Sequence, residues 1–472
     1  MILNNNDKIN ERILSTSKSI LYSLASFGLM LPVSLYNGFS YYFIIYIVGL
    51  RPIFASIGNS LGLLFNAIIS PLAGFISDRR TPSKFGRRKP HLLIGAPLMS
   101  IGFFFLWFWP PSLSIENIGE LNIAIIYWIS SSIFCIFNSY AFPPYCSMLP
   151  EISTNNENRI KIAGIQGMAN LVGTIVGIIF PFIIKSFVQS NNELIFWMII
   201  ISFFISLFSI GTIYTTAFTI HEPIEELIKS EQIKINRDKK KKFEIISGKD
   251  LFNEILQPLK NKNFQLFIKS NFFFNLGMRI PMIILIPFLE IVIGVPSEEL
   301  IFFLLIILPF ALVGFVLWTK VSTKYGLIKT LSYDYYIMII FMSASIIFLL
   351  INNPVIKIII GLIIIIIIIM ALIAIYIIPG PAISKMVDEE IQKTIDLKGE
   401  LTEDEKYKSS GKFFGTNSFI LNLAQAISFL ILGPILESNK EDPFLLTICM
   451  PITAIIVLIS VQFLKRINID KK

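Results

Sequence analysis

Gly74-Phe75-Ile76-Ser77-Asp78-Arg79-Arg80, running on through Lys84-Phe85-Gly86-Arg87-Arg88-Lys89-Pro90, decides the fold. It lies between two apolar runs, so it reads as a short charged loop joining two membrane helices. The same frame returns 240 residues on, where Gly314 is followed twelve residues later by Lys324-Tyr325-Gly326, against Lys84-Phe85-Gly86. No insertion separates the two copies. A loop written twice at this offset implies a duplicated half, and a duplicated membrane half implies a transporter.

Outward from that loop, the composition agrees. The chain has 472 residues, of which 54% are hydrophobic and 15% charged, with mean hydropathy +0.71. A soluble domain carries about 25% charged residues, so this chain belongs in a bilayer. Its net charge of +8 sits in membrane-flanking loops, which speaks against nucleic acid as a partner and for membrane lipid. Cys135, Cys146 and Cys449 lie in apolar segments without CxxC spacing, and His91 and His221 stand alone. No metal centre, disulfide framework or cofactor is expected. The polar, mixed-charge Met1–Ser17 is unlike a signal peptide.

Twelve runs are long enough to span: roughly 19–47, 54–77, 91–109, 122–148, 160–187, 194–218, 264–292, 299–318, 330–351, 354–379, 411–435 and 443–464. The expected fold is an all-α integral membrane protein of twelve transmembrane helices in two six-helix pseudo-repeats. Residues 1–218 form the N-terminal bundle, 219–263 a basic linker containing Lys239-Lys240-Lys241-Lys242, and 264–472 the C-terminal bundle. A second charged stretch, 381–410, is expected to form a short surface helix. The Lys and Arg bias between alternate loops places both termini in the cytoplasm of a cell-membrane protein.

The duplicated loop resembles the loop between the second and third helices of the major facilitator superfamily. Asn66-Ala67-Ile68-Ile69-Ser70-Pro71-Leu72-Ala73-Gly74 is similar to a signature of the glycoside–pentoside–hexuronide:cation symporters, the melibiose-permease-like group. So is Pro144-Tyr145-Cys146-Ser147-Met148-Leu149-Pro150-Glu151, followed by Asn158-Arg159 and Gly173. The resemblance implies alternating access, a central solute site and symport. It also exposes departures. The family's paired carboxylates on the second helix fall at Asn66 and Ser70, its fourth-helix aspartate at Phe142, its fifth-helix arginine at Gln166 and its eleventh-helix lysine near Asn422. Neutral oxygens supply neither formal charge nor a titratable proton, so cation coupling through that site is in doubt.

Asn59, Asn66 and Ser70 share a helical face by their spacing. Gln166 with Asn170, and Ser418, Asn422 and Gln425, repeat the pattern. The stripes line a central cavity or hydrogen-bond between helices. Arg279 lies about 15 Å into its run by helical rise, where an isolated charge costs at least about 2.5–3.5 kcal/mol, so it is expected to bind substrate or a cavity anion, or else to make a structural pair with helix dipoles or carbonyls. Glu290 is about 16 Å further along the axis and out of its reach. Lys269 and Asp334 are read as snorkelling. The expected substrate-binding set is Asn59, Asn66, Ser70, Gln166, Asn170, Arg279 and Asn422. Gly74, Asp78, Gly86, Arg87 and Arg88 form a conformational latch, with Asp78 pairing Arg87 or Arg88. In the second copy Trp318 stands at the Asp78 position. Gly173 with Gly177, and Gly411 with Gly415, are read as close-packing sites. No nucleophile–base set suggests an enzyme. The leading function is a monomeric carrier of a sugar, glycoside or similar small organic solute. The alternatives are an amphipath or lysophospholipid carrier, and a non-transporting sensor or scaffold.

Overall fold

The computed structural model describes residues 13–79, 86–153, 155–188, 190–220, 222, 256–398 and 403–468. The spans are α1 (Thr16–Tyr42), α2 (Pro52–Arg79), α3 (Lys89–Trp107), α4 (Glu120–Ser147), α5 (Asn156–Phe187), α6 (Asn191–Thr219), α7 (Lys262–Pro287), α8 (Leu300–Tyr325), α9 (Leu327–Ala344), α10 (Pro354–Ile377), α11 (Glu403–Ser438) and α12 (Pro443–Leu464). Eleven helices among the described residues are long and apolar enough to cross a membrane, and α8 is a 26-residue helix between two of them. Helix starts follow local chemistry. Ser15, Asn155, Ser190, Asn261, Asn353 and Asp442 each accept a backbone N–H of the first turn, satisfying donors that have no helical partner.

α1 and α7 both end in a π turn, Phe43–Ile47 and Phe288–Ile293. The duplicated loop is visible in the backbone: Gly86 has φ +93° and Gly326 φ +87°, a region closed to most side chains. The copies differ on the helix that leads into the loop. Trp318, 3% exposed, donates Nε1 to Met370 O at 2.8 Å, and a Cβ at Gly314 would stand 2.7 Å from the same oxygen. α8 and α10 therefore touch backbone to backbone. At the first copy a Cβ on Gly74 would meet only Pro143 Cβ, at 4.0 Å.

The Gly173/Gly177 pair packs as its spacing predicts. Cβ atoms there would lie 3.1 Å from Phe27 O and 2.6 Å from Leu31 O, so α5 needs the glycines to approach α1. Gly411 and Gly415 do not pack this way, since nothing lies within 4 Å of either Cβ position. The charged stretch after α10 forms the helix Pro379–Lys398, whose Glu389 and Glu390 accept from Asn263 and Asn261. Most of the 219–263 insert lies outside the described residues.

Two apolar cores result. One runs through α1 to α6 and continues into the far ends of α7, α11 and α12, through Ile280–Val295, Ala426–Leu436 and Leu446–Met450. The second belongs to the last six spans alone and fills their other end, including Phe264, Phe274, Leu331, Met386 and Leu464. The halves thus share a core at the end carrying the α1–α2 turn, the far end. Near Thr16 and Leu464, the termini end, the last six spans have a core of their own.

Candidate functional site

Polar contacts join the halves from the far-end loops down to mid-membrane. Tyr46 donates to Lys440 O at 2.6 Å, and Lys440 Nζ returns to Ile45 O at 2.8 Å. Lys440 sits in the loop before α12, where burial lowers its pKa and neighbouring Glu441 opposes the shift. Arg51 bonds Glu120 at 2.8 Å and reaches Glu437 at 3.7 Å. Glu437 also accepts the Ile53 N–H at 3.1 Å, and Gly433 packs on Ser56.

Deeper lies a buried cluster. Lys185 of α5 pairs with Glu290 in the π turn after α7 and also donates to Tyr42. Tyr42 donates to Glu290 Oε2 at 3.1 Å and Ser297 to Oε1 at 2.7 Å. The Lys185 ammonium also stands 4.4 Å from the Tyr42 ring centroid. In the sequence neither Lys185 nor Glu290 carries a signal for the other. The pair spans 105 positions, and no local spacing links them.

Below this seal are Ser60, donating to Ala426 O at 2.8 Å, and Asn66, donating to Asn422 Oδ1 at 3.2 Å. Asn66 also accepts from Ser139. Asn66 and Asn422 are thus brought together across the seam between α2 and α11. Asn59 is not with them: 1% exposed, it bonds Tyr127 Oη at 2.7 Å and Ala55 O at 3.0 Å inside the first half. Ser70, Gln166 and Asn170 are half-buried on α2 and α5, and Asn170 Oδ1 has no partner.

Arg279 is 6% exposed and inside α7, as its position predicts. Its Nη2 donates to Asn37 Oδ1 on α1 at 3.1 Å, its guanidinium lies 5.1 Å from the Phe429 ring centroid, and its Nε is buried with no acceptor. No carboxylate among the described residues pairs with it. Tyr36, Tyr127 and Tyr376 lie within its electrostatic reach. Asn37 and Gly38 are exposed in the middle of α1, and Tyr376 is 73% exposed on α10. On the same face of α7 as Arg279, at four-residue steps, Asn275 and Asn271 bond Gln425 at 3.3 Å and Asn417 at 2.7 Å. An amide-lined seam between α7 and α11 therefore leads from the termini end to the charge.

The Asp78 side chain lies outside the described residues. Glu222, 5% exposed just beyond α6, accepts the backbone N–H groups of Arg87, of Arg88 at 3.2 Å and of Lys89 at 3.0 Å. The carboxylate thereby caps α3 at the positive end of its dipole. A Cβ on Gly86 would stand 2.6 Å from Glu222 Oε2, so Gly86 is needed for space as well as for φ. Sequence reading missed Glu222 because it falls at the start of a charged insert, where one more acid carries no signal. Asp334, read as snorkelling, is 0% exposed with neither oxygen bonded. Lys269 is exposed as expected.

With this geometry in place, comparison with known proteins gives the family. A model described as "MFS/sugar transport protein" matches residues 21–440. The chain belongs to that family of transporters. It is 27% identical over 129 residues to the sodium-dependent lysophosphatidylcholine symporter 1 of Mus musculus, covering 27% of this chain and 23% of the relative. It is 23% identical over 224 residues to an uncharacterized symporter of Synechocystis, covering 48% of this chain and 40% of the relative. The matches thus span a quarter to two fifths of these relatives' lengths. A bacterial homolog of the human lysosomal transporter Spinster, solved in an inward-facing and unoccupied conformation, superposes with TM-score 0.62 at 14% identity, over 95% of this chain and 96% of that one. The transporter fold predicted from the duplicated loop is the fold found.

Proposed function

We propose that this chain is a non-enzymatic, monomeric secondary carrier in the cell membrane. It moves a sugar or similar small organic solute by alternating access between a bundle of residues 1–218 and one of 264–472, joined by the 219–263 linker. The observation that carries the reading is the division of the apolar core. The halves share one core at the far end, while the last six spans keep a separate core at the termini end. With the termini in the cytoplasm, this state is closed outside and holds its central space toward the cytoplasm. Asn66, Asn422, Ser70, Gln166, Asn170 and Arg279 are the proposed solute contacts; Asn59 holds α2 to α4 instead. Gly74, Asp78, Gly86, Arg87 and Arg88 form the latch of the opposite state, with Glu222 fixing the backbone against which it closes.

The lysophosphatidylcholine symporter among the relatives favours a second reading, an amphipath as the solute. On either reading, Asn66, Ser70 and Phe142 leave no carboxylate to hold Na⁺, and neutral oxygens recover only part of the cost of a bare cation at mid-membrane. The test is uptake into proteoliposomes with Na⁺ and pH gradients imposed separately. Equilibration or exchange of solute without Na⁺-driven accumulation is the expected result. Accumulation above equilibrium on a Na⁺ gradient overturns the uncoupled reading, and no flux of any sugar, glycoside or lysophospholipid overturns the carrier reading.

A further inference from the structure

We propose that the solute carries an anionic group, a phosphate or carboxylate, which docks on Arg279. The inference rests on the carrier reading and narrows it. Arg279 is a permanent charge held at mid-membrane, 6% exposed, with no carboxylate among the described residues to cancel it. Among the described residues, its polar and ring contacts are the Asn37 amide oxygen and the Phe429 face. Those contacts orient the guanidinium without neutralising it, and Nε stays unbonded.

A buried, uncompensated cation is costly unless something of opposite charge visits it. A neutral sugar would displace water from the guanidinium and leave the charge standing. A phosphate or carboxylate cancels the charge, in the geometry that guanidinium matches best. Its neighbour suits an anion as well. Asn37 spends its oxygen on Arg279 and, as an exposed residue, keeps its amide N–H groups as donors.

The phosphate or carboxylate can belong to a water-soluble sugar derivative or to a lysolipid headgroup, and paired probes separate the two. Thermal unfolding of the purified full-length chain is followed with glucose against glucose 6-phosphate and glucuronate, and with monooleoylglycerol against oleoyl lysophosphatidate. The anionic member of at least one set should stabilise the protein where its neutral counterpart does not. Arg279→Gln should abolish that difference. Arg279→Lys, which keeps the charge but loses the fork, should weaken binding about 10- to 100-fold, the equivalent of one charge-assisted hydrogen bond. It also serves as the folded comparison if the glutamine variant unfolds. Equal stabilisation by neutral and anionic probes, a full anion response in Arg279→Gln or an undiminished one in Arg279→Lys, or no response in any arm overturns the anion site. Transport of a neutral sugar by the same preparation would meanwhile leave the carrier reading standing.

Discussion

Replacing Lys185 with Met should loosen the far-end seal about a hundredfold. The pair is well shielded, with side-chain exposures of 10% for Lys185 and 18% for Glu290. Two unit charges about 4 Å apart attract by about 4 kcal/mol at an effective dielectric constant of 20. Removing one partner of a buried pair costs about 3–5 kcal/mol, because the other charge is left unmatched. In Lys185→Met, Glu290 keeps only the hydroxyls of Tyr42 and Ser297. In the state open at the far end both charges meet water, so that state gains little from the pair and loses little with it. Nearly the whole penalty falls on the sealed state, and about 3 kcal/mol moves the equilibrium about a hundredfold. The readout is a cysteine at Ser60, 2% exposed beneath the seal, in a background lacking the native cysteines. It is labelled by an impermeant thiol reagent applied to the far face. Its labelling rate should rise about a hundredfold in Lys185→Met and in Glu290→Gln. The double variant Lys185→Met/Glu290→Met should return to within about 1 kcal/mol of the parent, since no charge is stranded. Parent-like labelling in both single variants would refute the seal.

Glu222→Ala should lower stability by about 1–3 kcal/mol by stranding the N–H groups of Arg87, Arg88 and Lys89, read as a drop in melting temperature with Glu222→Gln intermediate. Asp334→Leu should leave stability unchanged or raise it by up to about 3 kcal/mol, because an unbonded buried carboxyl is removed. A lower melting temperature would reveal a partner for that carboxyl. Gly177→Ala should cost about 1–3 kcal/mol by driving a methyl into Leu31 O, whereas Gly415→Ala, facing open space, should be neutral or gain up to about 1 kcal/mol of helix propensity.

The spans were legible because a bilayer demands about 20 apolar residues in a row, and the duplication because its glycines serve a backbone requirement that survives divergence of everything around them. Arg279 was legible for the same reason as the spans: a charge inside an apolar run is costly wherever it lies. What surrounds it was not. Asn37 is one amide among many until α1 and α7 are placed side by side. The spacing of Asn59, Asn66 and Ser70 places them on one face of α2. It did not reveal that this face meets α4 at Asn59 and α11 at Asn66. Lys185 and Glu290 lie on different halves, so their pairing exists only once the halves are docked. Glu222 was hidden by composition, since an acid within a charged insert reads as solvated.

The π turns that close α1 and α7 bear on how the seal releases. Tyr46 and the Ile45 carbonyl, which hold Lys440, and Glu290, which holds Lys185, sit within these turns. A π turn bonds i to i+5 and so carries one residue more than the α-helical bonding needs. Letting that residue slip through tightens the turn and rotates everything beyond it, without bending the span below. The two clasps therefore hang on matched swivels, one from each half of the duplication. Release of the clasps by rewinding one turn in each half is the expectation that follows. Amide exchange at 43–47 and 288–293 should accordingly outpace that of the adjoining turns, and equal protection would remove the swivel from the mechanism.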